Sequence, residues 1–295
     1  DQGRDLLAAT RIVYEHNLTL IGPTTGLPGI FYGPWWYYFL SPLVLISNGN
    51  PAIITLIFAL IGLLTVILIY LLTYKITKSY LVSSAISASA ALSQSFLTAS
   101  SQIWSPSLVL PLMILYITCL YKIVLKNSIN WLLVLGITCG LIMDSGAAFG
   151  IMLTVATVIT SLFFRKEFTI NSYKYLLIGF LIILLPRIIF DFKHDFLISK
   201  SIVAWLTSPQ VYQEKLSIGE RFLNRLDLFL LNFSQTFSQS KKLLTVFPLL
   251  IMFLATLKAR RTLFKNKIYK FLVLTTLFIY LGSVIYPDAV WDYYL

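Results

Sequence analysis

The stretch PAIITLIFALIGLLTVILIYLLT, residues 51–73, decides the fold of this chain. It carries no charge, and about 20 apolar residues suffice for a helix to cross a hydrocarbon core about 30 Å thick. Other apolar runs follow it, and hydrophobic residues make up 58% of the 295 positions. Soluble domains contain roughly 45–50% apolar residues. The sequence therefore predicts an all-α, polytopic transmembrane helical bundle.

Eight apolar runs predict membrane helices, and their basic flanks predict the orientation. The candidates are 51–73, 80–98, 104–121, 130–144, 146–164, 175–191, 243–257 and 268–286. Lys and Arg cluster in alternate connections, from Lys75 and Lys78 to the last such stretch, KARRTLFKNK (258–267). Because such clusters mark cytoplasmic loops, the opposite connections and both chain ends are predicted to lie outside.

We expect a single domain, 1–295, because no polar linker separates the apolar blocks. The alternation divides it into a first extracytoplasmic loop with interfacial helices (1–50), membrane helices (51–191), an extracytoplasmic loop (192–242), and membrane helices with an outer end (243–295). The chain begins on an acid and ends on an aromatic pair and Leu295. We therefore expect a segment cut from a longer protein at both ends.

Charge and residue usage exclude several classes of function. A net charge of +11 suggests nucleic acid in a soluble protein, but here Lys and Arg sit in short loops, so no nucleic-acid partner is expected. The two cysteines, Cys119 and Cys139, lie in apolar stretches and are expected to be free thiols. The sequence has no zinc-ligand spacing. It also has no nucleotide-binding fingerprint, which disfavours a sugar-nucleotide donor.

The acidic residues are distributed unequally across the predicted membrane. Every Asp and Glu except Glu167 falls on the outer side of this topology. The positive-inside rule concerns Lys and Arg and leaves acids nearly unconstrained. Longer outer loops explain part of this bias. The functional interpretation is that chemistry or polar ligand binding takes place on the outer face.

The first outer loop has a structure of its own. Segment 3–16 predicts an amphipathic helix along the membrane interface, and residues 17–33 predict a loop rich in Gly, Pro and Thr. In the following FYGPWWYYFLSP (31–42), Pro34 suits a first helical position. The aromatic run 35–39 is interpreted either as a belt at the headgroup level or as a platform that also shapes a lipid or sugar site. Surface-lying helices are expected within 192–242.

These features resemble a family of membrane enzymes. The chain resembles the first outer loop of GT-C glycosyltransferases in three successive features: DQGRD (1–5), which opens a helix, then a Gly/Pro loop, and then YGPWWYYFLSP (32–42). The nearer relatives are of the dolichyl-phosphate-mannose protein mannosyltransferase and aminoarabinose-transferase type. Weaker matches are SQIWSPSLVLP (101–111) and PRIIFDFKHDF (186–196). The resemblance covers the whole chain in architecture, but its specific motifs lie mainly within 1–45.

The resemblance implies a GT-C bundle and a glycosyltransferase activity. The enzyme would move a sugar from a polyprenyl-phosphate-linked donor to an acceptor hydroxyl of a protein, lipid or glycan, by inverting direct displacement. We accordingly expect an integral, multi-pass protein of the prokaryotic plasma membrane, with the active site on the outer face and membrane lipid around it. Sugar and acceptor stay open.

The resemblance also assigns site residues. Asp1 matches the family's first, essential acid, and Gln2 stands where a partner Glu is usual, which removes one carboxylate from any two-acid scheme. Asp5 lies one helical turn from Asp1 and is this sequence's own supporting acid. The candidates for the donor phosphate are Arg4, Arg11, Arg187, Lys193 and His194, and those for sugar or acceptor are Asp144, Tyr32 and Trp35.

The chemistry of the transfer agrees with this set. A phosphate leaves without a proton, so no general acid is needed, whereas the acceptor hydroxyl benefits from a carboxylate base. Cations stabilise the charge that develops on the phosphate. No cofactor is required; Asp1 and Asp5 could share a divalent ion, but nothing in the sequence demands it.

Alternatives stay open for several of these residues. Arg187 interrupts an apolar run, which suggests function, but it could instead snorkel to water or pair with Asp191 one turn away. Asp144 could bind sugar or acceptor, or cap the next helix together with Ser145. His194 could be a plain surface residue, and Asp1 and Asp5 could be mere helix charges.

Two other functions stay open for the chain as a whole. One is a non-catalytic flippase or permease for lipid-linked glycans, although the helix middles are apolar and no inverted repeat is visible. The other is a structural membrane subunit, for which the outer acid bias would be accidental.

Overall fold

The computed structural model describes residues 2–207, 216–237 and 265–285, and within these ranges the chain is all-helical apart from turns and one isolated bridge, Thr24 to Phe31. The helices are α1 (Gln2–Tyr14), α2 (Trp35–Ser47), α3 (Pro51–Thr77), α4 (Tyr80–Ala91), α5 (Gln94–Ser101), α6 (Val109–Lys126), α7 (Trp131–Ser145), α8 (Ala147–Ser161), α9 (Tyr173–Lys193), α10 (Leu197–Thr207), α11 (Ile218–Phe237) and α12 (Lys267–Ile285). Short 3₁₀ turns, Ser105–Leu108 and Ile170–Ser172, lead into α6 and α9.

Four helical segments of the described chain are long and apolar enough to cross a membrane. They are Pro51–Thr77, Ser105–Lys126, Ile170–Lys193 and Lys267–Ile285. The apolar helices α4, α7, α8 and α10 are shorter. At 1.5 Å per residue, α7 or α8 rises only about 22 Å, less than a hydrocarbon core. These helices are consistent with a membrane protein. By length and composition, four segments of the described ranges could each cross a membrane, whereas eight crossings were predicted, of which the candidate 243–257 lies outside these ranges.

Helix α3 shows why this sequence suits lipid. Asn50 caps its first turn by accepting a hydrogen bond from the Ala52 N–H at 3.0 Å, and Pro51 occupies the position where a missing N–H costs nothing. Its buried residues form one stripe, while leucines such as Leu56 and Leu60 are more than half exposed. In water this apolar surface would be unfavourable, and in a bilayer it faces lipid.

Two predicted boundaries are wrong in an informative way. The candidate 80–98 is not one helix, because the chain turns at Leu92 and Ser93 restarts it by accepting a hydrogen bond from the Phe96 N–H. Serine favours such caps over helix interiors. The candidate 104–121 begins as a 3₁₀ turn and extends to Lys126. The candidate 243–257 lies outside the described residues.

A close crossing of α7 and α9 sets the centre of the bundle. A Cβ added at Gly136 or Gly179 would lie 2.0 or 2.2 Å from a backbone oxygen of the other helix, so only glycine permits this approach. One turn further along α7, Gly140 packs against Ile183 of α9. The contact advances by four residues on both helices, so α7 and α9 run parallel through it. Small residues at such contacts are typical of membrane helix packing.

A second cluster joins α1, α2 and α3. Ala9 of α1 is fully buried there, together with Trp36 and Leu40 of α2 and Phe58 of α3. Trp36 and Tyr37 are 2% and 7% exposed, which makes the headgroup-belt interpretation wrong for these two residues. Because α1 packs on α2 through a buried face, the aromatic run serves as a platform between helices.

Candidate functional site

A cavity of about 350 Å³ lies where α2, α3, α6 and α7 meet, within the size range of small-molecule sites. The walls are mostly apolar and include Trp35, Trp36, Phe39, Leu112, Leu115 and Leu141. The polar lining comes from the last turn of α7, where Asp144 and Ser145 reach the cavity. A mostly apolar cavity of this size suits the aliphatic part of a ligand.

Asp144 is held by an ion pair with Arg187 of α9. Arg187 Nη2 lies 2.8 Å from Asp144 Oδ1, and the two side chains are 15% and 2% exposed. Asp144 lies four residues after Gly140, and Arg187 lies four residues after Ile183. The ion pair is therefore one helical turn beyond the contact between Gly140 and Ile183. The glycines that bring the helix backbones together therefore also bring these charges together.

The carboxylate of Asp144 is enclosed by protein. Both of its oxygens are buried, and Oδ1 lies 2.8 Å from Arg187 Nη2. The backbone of Gly33 covers the carboxylate, where a Cβ would lie 1.9 Å from Oδ2, and contributes a hydrogen bond to it. The pair therefore connects α7 with α9 inside the protein.

Two alternatives left open by the sequence are wrong. Arg187 does not pair with Asp191, because its Nη2 is buried beside Asp144, although 15% of the side chain is exposed. Asp191 instead caps α10 by accepting a hydrogen bond from the Ile198 N–H at 2.7 Å. Asp144 does not cap α8, whose cap position is Gly146 without a side-chain hydrogen bond.

Asp5 lies buried between α1 and α2, with 1% of its surface exposed. Its Oδ1 accepts a hydrogen bond from Arg4 Nε and its Oδ2 accepts one from Trp36 Nε1, both at 2.9 Å. Burial raises the pKa of the neighbouring Tyr37 to about 12, assisted by the Asp5 charge and opposed by Arg4, so this phenol stays neutral. Because Trp36 lines the cavity, a single hydrogen bond connects Asp5 to a residue of the cavity wall. Asp1 lies outside the described residues.

Trp35 joins the cavity wall to α9. Its indole Nε1 donates a hydrogen bond to the carbonyl oxygen of Ile183 at 2.8 Å, one turn before Arg187. Pro186 lies between the two, and a proline inside a helix removes a backbone hydrogen bond and loosens the neighbouring turn. Trp35 therefore fixes the part of α9 that carries Arg187.

The remaining predicted residues lie away from the lining of this cavity, as far as the described ranges show. Tyr32 is half-buried in the loop, where its backbone pairs with Gly22 and Pro23. Arg11, Lys193 and His194 are exposed. The His194 ring stacks on a phenylalanine one turn earlier, and its Nδ1 lies 2.8 Å from that residue's carbonyl oxygen.

No group of three or more His, Cys, Asp or Glu side chains lies close enough to hold a metal ion within residues 2–207, 216–237 and 265–285. The sequence interpretation missed Gly33, Trp36 as a donor to Asp5, and the pairing of Asp144 with Arg187. One signal was present for that pair, since positions 136, 140 and 144 and positions 179, 183 and 187 repeat the same four-residue spacing on two helices.

Comparisons with protein-family models, with curated proteins and with solved structures find no match for this chain. The resemblance to GT-C glycosyltransferases therefore rests on the sequence motifs quoted above.

Proposed function

We propose that this chain is a membrane glycosyltransferase of the GT-C type, which moves a sugar from a polyprenyl-phosphate-linked donor to an acceptor hydroxyl on the extracytoplasmic face. The observation that carries the proposal is the apolar cavity of about 350 Å³, whose wall includes Trp35 and Trp36. It adjoins the helix that DQGRD opens, through the hydrogen bond between Trp36 and Asp5. Aliphatic chains need an apolar chamber, and sugar hydroxyls need buried acceptors.

The reaction we propose is a single displacement at the anomeric carbon. The acceptor oxygen forms the new bond to this carbon while its bond to the phosphate oxygen breaks, and the electron pair leaves with the phosphate. The proton of the acceptor hydroxyl passes to a carboxylate, for which Asp1 is the candidate. Attack opposite the leaving group inverts the configuration. Asp5, whose two oxygens both accept hydrogen bonds, is the positioning residue that holds α1 against the aromatic platform.

The structure changes which cations we assign to the donor phosphate. Arg187 is neutralised by Asp144, so its charge is already used within the bundle. Lys193, at an exposed position, remains a candidate. Arg4 is also paired with an acid, Asp5, but its side chain is 45% exposed, so it remains a candidate as well. Cations at the rim of a site can meet a phosphate that stays at the membrane surface while the lipid chain lies deeper.

The test is sugar transfer in membranes that contain the protein at its native length. A polyprenyl-phosphate sugar labelled in the sugar is supplied, and label transferred to acceptor is measured. Asp1→Asn keeps size but removes the basic carboxylate, so transfer should fall about 10²–10⁴-fold with the melting temperature nearly unchanged. Glu15→Gln, an exposed acid just beyond α1, is the matched control and should transfer normally.

Two results would count against this function. Normal turnover in Asp1→Asn removes Asp1 from the mechanism. Translocation of an intact lipid-linked glycan by the unaltered protein, without any transfer of its sugar, would instead favour the flippase or permease alternative.

A further inference from the structure

We propose that the inner ends of α3 and α6 bind an anionic phospholipid of the membrane, with Lys75 holding its phosphate. The inner end of a helix is the one that the basic flanks predict to be cytoplasmic. Lys75 lies about 21 Å along α3 from Ile61, the residue of this helix that lines the cavity. The lipid site is therefore separate from the cavity and does not depend on the proposed activity.

The ammonium group of Lys75 is held in place by a ring on another helix. Its Nζ lies 5.9 Å from the centre of the Tyr121 ring of α6, within the range of a cation–π contact. Tyr121 is only 8% exposed, so packing fixes the ring, whereas Lys75 itself is exposed. A side chain that is already oriented loses less conformational entropy when it binds a ligand. The ring therefore prepares this cation to bind an anion.

The positive charge at this place is not neutralised by an acid of the described chain. Lys122, which follows Tyr121 on α6, lies over the ring of Trp131 at 5.5 Å and adds a second cation. The one acid on the inner side of the predicted topology, Glu167, pairs with Lys267. Within the described ranges, neither Lys75 nor Lys122 belongs to an ion pair. A phosphate is the complementary charge.

Lysines in contact with rings occur on one side of this molecule. All four such contacts of the described ranges lie at inner helix ends. They are Lys75 with Tyr121, Lys78 with Tyr74, Lys122 with Trp131, and Lys174 with Tyr175. Tyrosine and tryptophan rings favour the headgroup level of a membrane, which is the depth of a phospholipid phosphate. The cations therefore lie where a lipid can reach them.

An apolar stripe of α3 provides the surface for the acyl chain. Leu64, Leu68 and Leu71 precede Lys75 at helical spacing and share its face of the helix. These leucines are 53%, 37% and 52% exposed, and they lead from the ammonium group toward the middle of the helix. A phospholipid has the same order, with a charged head at the surface and chains below it. This continuity favours a lipid over a free phosphate, which would use the cation alone.

Photolabelling in nanodiscs of phosphatidylcholine tests the site. The probes are a phosphatidylglycerol and a phosphatidylcholine that carry the same diazirine in one acyl chain, and labelled peptides are located by mass spectrometry. We expect the anionic probe to label residues 64–71 about fivefold more than the zwitterionic probe does. This factor corresponds to the contribution of one lysine at a membrane surface, about 1 kcal/mol.

Variants separate the charge, the ring and the general field of the inner face. Lys75→Gln should reduce labelling by the anionic probe to that of the zwitterionic probe, whereas Lys75→Arg should preserve the difference. Tyr121→Leu, which removes the ring and keeps the charge, should lower the preference about two- to fivefold, and Tyr121→Phe should retain it. The matched control is Lys270→Gln, at an exposed position of α12, which should leave labelling of α3 unchanged.

Three results would overturn the inference. Equal labelling by both probes would mean that Lys75 only extends to water. An equal loss in Lys75→Gln and Lys270→Gln would mean that the whole basic face attracts the lipid without a defined site. Suppression of the labelling by soluble glycerol phosphate would identify a site for a water-soluble phosphate ester. Because Lys75 is exposed, its variants decide the outcome even if Tyr121→Leu does not fold.

Discussion

The ion pair between Asp144 and Arg187 should be the strongest polar coupling between α7 and α9. We predict that Asp144→Asn and Arg187→Met each destabilise the protein substantially, while the double variant loses far less than the two losses together. Each single change leaves one buried charge without its partner. The double change leaves no charge in this part of the bundle.

The burial of the pair gives the size of the effect. Its side chains are 2% and 15% exposed, and the charged atoms lie 2.8 Å apart. Breaking a buried pair by removing one partner costs about 3–5 kcal/mol, whereas replacing both partners is often nearly neutral. Since no hydrogen bond joins the two side chains of this pair, we take the lower end, about 3 kcal/mol for each single variant. With a double variant close to neutral, the coupling energy should then be about 6 kcal/mol, the sum of the two single losses, which lies above the range usual for contacting residues.

The measurement is reversible unfolding in mixed micelles, with the fraction unfolded followed by far-ultraviolet circular dichroism. The control is the ion pair between Lys267 and Glu167, whose lysine is 54% exposed while its glutamate is 4% exposed. A cycle with Lys267→Met and Glu167→Gln should give a smaller coupling, because water solvates the lysine in the folded protein. Both cycles change the same number of charges, so they differ chiefly in the exposure of the cation.

Additivity in the Asp144–Arg187 cycle, with a coupling below about 0.5 kcal/mol, would refute this reasoning. Such a result would mean that the two charges are solvated independently in the folded protein.

Three further outcomes test the packing and the topology. Trp36→Phe keeps the ring but removes the donor to the buried carboxylate of α1, so unfolding should become easier by about 1.5–3 kcal/mol, measured by the same denaturant titration. Gly179→Ala should lower the melting temperature, because its Cβ would lie 2.2 Å from a backbone oxygen of α7, whereas Gly282→Ala, with nothing within 4 Å, should raise it slightly or leave it unchanged. Single cysteines near Lys126 and Asp195 report orientation: a membrane-impermeant reagent added to whole cells should label only the one near Asp195, and labelling only near Lys126 would reverse the predicted topology.

The helices themselves could be predicted from the sequence. Apolar length identified α3, α6, α9 and α12 within a few residues, because a chain in lipid must satisfy its backbone hydrogen bonds locally. The break at Ser93 was missed because it depends on one serine cap within a run of small and apolar residues. The contribution of one serine is small compared with the hydropathy of the residues around it, so the apolar pattern does not reveal the break.

The roles of the polar residues needed the tertiary structure. Asp144 ends an apolar run and Arg187 interrupts one. The sequence around such a residue is the same whether its side chain faces water, lipid headgroups or another helix. The glycine contacts between α7 and α9 determine that these two side chains meet. Likewise, Trp35 and the Ile183 carbonyl are 148 positions apart, and only the folded bundle joins them. Composition thus predicted helices that are long and apolar enough to cross a membrane, since burial of apolar surface acts on every residue alike. The cavity and its buried carboxylate were decided by side-chain contacts between distant helices, because those contacts depend on how close the backbones approach.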